Sequence, residues 1–94
     1  MNGIASLLVL DVRRVPRAVA RLVSESQGGT SSGCACPNCG VTCKLDGPGS
    51  VEIVAPGRGV FIACAQCAAL LGSFAPSQAL AIIDEWLAQR EAKQ

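Results

Sequence analysis

CACPNCGVTC, residues 34–43, places four cysteines in ten positions, and CAQC at 64–67 adds two more. Six thiols can bridge each other, attack a substrate or hold a metal. The choice decides the fold, because a chain of 94 residues buries a modest core and often depends on a disulfide or a metal to stay folded. In Cys36-Pro37-Asn38-Cys39-Gly40, Pro37 fixes one backbone angle of a tight turn. Gly40 permits the close or left-handed conformation needed after the second sulfur. A C-x2-C turn of this kind brings two thiolates together at little entropic cost. Two such turns supply the four sulfurs of a tetrahedral ion. Cys64-Ala65-Gln66-Cys67 reads as the second turn, with Ala68 where a glycine would be ideal.

Around the cysteines the middle of the chain reads as β. VTCKL (41–45), SVEIVA (50–55) and GVFIAC (59–64) alternate or are β-branched, with turn-rich DGPGS and PGRG between them. They predict a short antiparallel meander. QGGTSSG (27–33) reads as a linker without packing capacity. The organisation expected is an N-terminal segment 1–27, a linker 28–33, a cysteine-bearing unit 34–72 and a C-terminal helix 73–94.

The N-terminal segment allows two readings. Ile4, Leu8, Val12, Val15, Val19 and Leu22 recur at helical steps and favour one helix over about 4–25, kinked at Pro16. Alternatively, a strand at 6–12 precedes a helix at 16–25, with Pro16 in the first turn. The C-terminal helix is the clearest element. Pro76 suits its first turn, with Ser73 or Ser77 nearby as a cap. Leu80, Ile83, Trp86 and Leu87 lie on its apolar face.

CPNCG, hairpin strands and then CAQC together resemble a zinc ribbon built on rubredoxin-type knuckles, over residues 34–70. The resemblance implies a small antiparallel sheet with one Zn2+ at its end, held by Cys36, Cys39, Cys64 and Cys67. Iron on the same sulfurs, as in a rubredoxin-like electron carrier, is the lesser alternative. Three departures from the pattern stand out: residues 40–63 make a long interval between the pairs, Ala68 replaces a glycine, and Cys34 and Cys43 are extra. Four ligands suffice for structural zinc, so Cys34 and Cys43 are expected outside the ligand set. Cys43 reads as a small buried hydrophobe. Cys34 reads as a linker-end thiol, a group behind the ligands or an alternative to Cys36. The fold class expected is α+β: a zinc-ribbon sheet flanked by an N-terminal helical segment and a C-terminal amphipathic helix.

Composition narrows function. The chain has no histidine and no tyrosine, and Phe61, Phe74 and Trp86 are its only rings. Without histidine there is no Ser-His-Asp or Cys-His machinery and no His-ligated catalytic zinc. A disulfide enzyme would need one CxxC pair after a strand and opening a helix, which two pairs around a hairpin do not suggest. No catalysis and no small-molecule substrate are expected. MNGIASLLVLDVRRVP lacks the basic start of a secretion signal, and no apolar run approaches membrane-spanning length. The expected setting is therefore cytoplasmic, where clustered cysteines favour metal over disulfides.

Half the residues are apolar and the net charge is +1, which favours a binding module acting through protein contacts or self-association. Leu80, Ile83, Trp86 and Leu87 are the candidate face. The alternative is nucleic-acid binding through Arg13, Arg14, Arg17 and Arg21, whose planar forks suit phosphate.

Overall fold

The computed structural model describes residues 7–92. The proposed helical start at Ile4 lies outside them. Strand β1 (Leu8–Asp11) runs into a single 3-10 turn (Val12–Arg14) and helix α1 (Arg17–Ser26). Short strands β2 (Gly33–Ala35) and β3 (Thr42–Lys44) follow, then β4 (Ser50–Ala55) and β5 (Gly59–Cys64). Helices α2 (Ala65–Leu71) and α3 (Pro76–Ala92) complete the chain. The class is α+β.

The sequence expectation for the N-terminal segment divides here. The continuous kinked helix is not formed; the strand-then-helix alternative is. Asp11 ends β1 by turning its carboxylate onto the Arg13 backbone N–H at 2.9 Å. Pro16 cannot donate, so it stands just ahead of α1, and its carbonyl accepts from Val19 and Ala20 at 2.9 and 3.0 Å. The proposed apolar stripe is also re-aimed. Val19 and Leu22 are exposed, Leu22 at 67%. The buried face is Ala20, Ser24 and then Gln27, at helical steps of four and three. Small side chains let the helix sit close to its neighbours.

The strands form two sheets, not one meander. β4 is central in an antiparallel sheet of order β1-β4-β5, and β2 pairs only with β3. Leu8 faces Val54 and Asp11 faces Val51, while Ser50 faces Cys64 and Ala55 faces Gly59. β3 does not join β4, because the β4 edge is taken by β1 and the hairpin partner of β3 is β2, with Cys34 opposite Cys43. The Gly/Ser/Thr stretch, given no packing capacity by its composition, is packed. Ser24 donates from its hydroxyl to the Thr30 carbonyl at 2.7 Å, and Leu45 N–H reaches Ser32 at 3.0 Å. A side chain at Gly33 would collide with the Cys43 carbonyl oxygen.

Gln27 joins the two sheets. Its amide accepts from Ile62 N–H at 2.7 Å and donates to Ile62 C=O at 2.7 Å, as a neighbouring strand would. The same nitrogen reaches Ala35 C=O in β2 at 3.3 Å. On the Phe61 face of β5 the Trp86 ring of α3 stands edge-on, centroids 6.4 Å apart. Arg58, in the β4–β5 turn, clamps Asp84 of α3 with two bonds of 2.8 and 2.9 Å. At the start of α3 the proposed serine caps are replaced by Gln78, whose side chain accepts from Ala75 N–H at 3.3 Å. Among the described residues no helix is long and apolar enough to cross a membrane.

Candidate metal centre

The first cysteine pair sits on the tip of the β2–β3 hairpin. Cys36 N–H bonds Val41 C=O at 2.8 Å and Gly40 N–H bonds Cys36 C=O at 2.9 Å. Gly40 has φ +82°, a left-handed angle that its lack of a side chain permits. This is the turn expected from CPNCG. The second pair is built differently. Cys64 ends β5 in extended conformation and caps α2, its sulfur accepting from Cys67 N–H at 3.4 Å. Cys67 lies one turn inside the helix. Ala68 is helical, which explains why no glycine is needed there. The pair therefore does follow a strand and open a helix, the arrangement that the spacing had argued against.

The two halves converge. The sulfurs of Cys36, Cys39, Cys64 and Cys67 all lie within 4.8 Å of one another, and those of Cys39 and Cys64 are 3.7 Å apart. A tetrahedral ion with metal–sulfur bonds of about 2.3 Å sets its sulfurs about 3.8 Å apart. The cluster is thus of a size to hold a metal ion, with all four positions filled by protein. Cys36, Cys64 and Cys67 are buried and Cys39 is exposed.

The surroundings pull Cys36 toward the thiolate and hold Cys39 and Cys67 toward the thiol. Asn38, inside the first pair, reaches across to the Cys67 sulfur at 3.3 Å. The Cys43 thiol beside it, with backbone N–H groups, pulls the Cys36 thiol down to about 3 against burial. The same neighbourhood, with burial, pushes the Cys43 thiol far up, so it stays protonated. Burial pushes Cys67 up to about 12 against the help of Asn38. For Cys39, the Val41 N–H pulls the thiol down, but burial and Cys64 outweigh it and the net direction is upward. Four thiolates this close repel one another, and a dication among them removes that repulsion.

Cys34 and Cys43 lie outside the four-sulfur group, and both are buried. No disulfide is present among the described residues. The other sequence candidates fall elsewhere. Arg13 is held by Asp11 through bonds of 3.0 and 2.8 Å. Arg14 belongs to the 3-10 turn, so only Arg17 and Arg21 share α1. Leu80, Ile83 and Trp86 are buried and Leu87 packs against the same core. The proposed partner face is thus occupied by the chain's own sheet side.

Three residues escaped the sequence reading. Gln27 carried no signal within a glycine-rich stretch. Asn38 reads in the sequence as a turn residue and no more. Glu52 in β4 is buried, its Oε2 has no hydrogen-bond partner, and burial raises its pKa. Comparison with protein-family models, with curated proteins and with solved structures gave no match. The reading of the site rests on its geometry.

Proposed function

We propose that the chain is a small non-catalytic zinc-binding module of the zinc-ribbon kind, holding one Zn2+ on Cys36, Cys39, Cys64 and Cys67 and acting through contacts with a protein partner. The observation that carries the metal reading is the convergence of four sulfurs, two from a hairpin tip and two from a helix start, within 4.8 Å. An ion with four thiolates has no open position for a substrate, so its work is structural. Zinc is favoured over iron by the resemblance alone: the aromatic and acidic residues expected around a rubredoxin-like iron site are sparse in this sequence, whose only rings are Phe61, Phe74 and Trp86. Cobalt(II) substitution tests the ligand set: a tetrahedral tetrathiolate spectrum is expected, and an octahedral spectrum contradicts it.

The binding role is supported by apolar side chains left at the surface. Leu8 and Val60 are exposed at 52% and 41%, and they share one row of the sheet across Val54. Light scattering on purified protein, with binding to random DNA and RNA at two salt concentrations, separates the partner classes. Salt-sensitive nucleic-acid binding lost on replacing Arg14, Arg17 and Arg21 with glutamine would overturn the protein-contact reading.

A further inference from the structure

The four sulfurs are not equally reachable. A groove of about 410 Å³ opens between β3, the 47–50 loop and the start of α2. Cys39 and Cys64 line it; Cys36 and Cys67 do not. Those two sulfurs are also the pair 3.7 Å apart, one from each half of the site. Cys39 is the exposed member. Cys67 is shielded by burial and by the Asn38 amide on its sulfur, and Cys36 is buried.

We propose that Cys39 is a modification site for peroxides, which enter through this groove, and that its oxidation closes a Cys39–Cys64 disulfide and expels the metal. The inference rests on the metal reading above and adds a redox control to the same site. As a metal ligand Cys39 would be deprotonated; this thiolate attacks one peroxide oxygen, the O–O bond breaks, hydroxide leaves and a sulfenic acid forms. The Cys64 thiolate attacks the Cys39 sulfur, the S–S bond forms and a second hydroxide leaves. Peroxide gains the two electrons that the two sulfurs lose. An ion left with two sulfurs no longer has a tetrahedral site. The new disulfide keeps the hairpin tip tied to the cap of α2, while Cys36 and Cys67 are released as ligands, so oxidation is read out as loss of the ion.

The experiment uses full-length protein whose zinc content is measured first. Hydrogen peroxide is added at one equivalent, released zinc is followed with a colorimetric chelator, and disulfides are mapped on non-reduced tryptic peptides. Cleavage at Lys44 and Arg58 places Cys39 and Cys64 in different peptides. Zinc release in step with a cross-linked Cys39–Cys64 product is expected. A first disulfide within one peptide, Cys36–Cys39 or Cys64–Cys67, overturns the proposal, as does peroxide consumption without zinc release. Because Cys39→Ser removes a ligand, Ala65→Trp, which narrows the groove, is the second variant. It is expected to bind zinc normally and release it severalfold more slowly; an unchanged rate overturns entry by the groove. Protein that carries no zinc defeats the metal reading, and the same disulfide map then still decides whether Cys39 and Cys64 pair first.

Discussion

At Asn38 one side chain ties two distant pieces of chain. Its amide donates to the Cys67 sulfur across a separation of 29 residues. Groups that hydrogen-bond metal ligands are commonly worth about 10–100-fold in metal affinity. Asn38→Ala is therefore expected to weaken zinc binding by about tenfold in a chelator competition, with stoichiometry unchanged. Glu52 gives the opposite kind of prediction. Burial raises its pKa, so the folded state holds its proton more tightly than the unfolded state. Its contribution is fully present below the ordinary glutamate pKa and is lost as pH rises through the raised value. Glu52→Gln should raise the urea midpoint at pH 8 and flatten its fall between pH 5 and 8, in parallel denaturation curves. A midpoint lowered equally at all pH values would show that the carboxylate has a partner it needs.

Among the elements, β5 depends on the residue that caps the end of α1 for its outer edge. Gln27 satisfies both backbone groups of Ile62 and is itself buried. Removing it leaves two buried groups unpaired, at about 1–3 kcal/mol each. Gln27→Ala should cost about 2–6 kcal/mol in urea unfolding while the metal content of the folded protein stays the same. Nothing in the residues announced this contact, since a glutamine beside glycines looks solvated. The elements that were legible are those that pack by large side chains. β4, β5 and α3 carry Ile53, Phe61, Ile62, Ile83 and Trp86 at strand or helix spacing, and all are buried. α1 was misread because it packs by Ala20 and Ser24 and leaves Val19 and Leu22 to solvent. β2, Gly-Cys-Ala, has no β-branched residue, so its pairing follows from the turn beside it. The spacing of the cysteines grouped the four sulfurs that converge, because ligand spacing is a local property. It did not distinguish a turn from a helix at CAQC, although the alanine-rich AQCAALL has high helix propensity.

Across the whole molecule, the metal site sits where the small β2–β3 hairpin meets the larger sheet and α2. The hairpin strands have three residues each, too short to be stable alone. Cys34, Cys36 and Cys43 belong to the same buried core as Phe61 and Trp86, so an ion bound there and the core would support each other. Chelation under reducing conditions should raise amide hydrogen exchange first over 33–44 and 64–71. Protection in β4 and along α3 should persist longest, because Ile53 and Ile83 are fully enclosed there. Uniform loss of protection would mean that the ion holds the entire fold. The most direct test is metal per chain by elemental analysis, on wild type and on each single cysteine-to-serine variant. The account predicts one zinc per chain, lost with Cys36, Cys39, Cys64 or Cys67 and retained with Cys34 or Cys43. Wild-type protein without metal, or a variant at Cys34 or Cys43 that loses it, would contradict the four-sulfur centre.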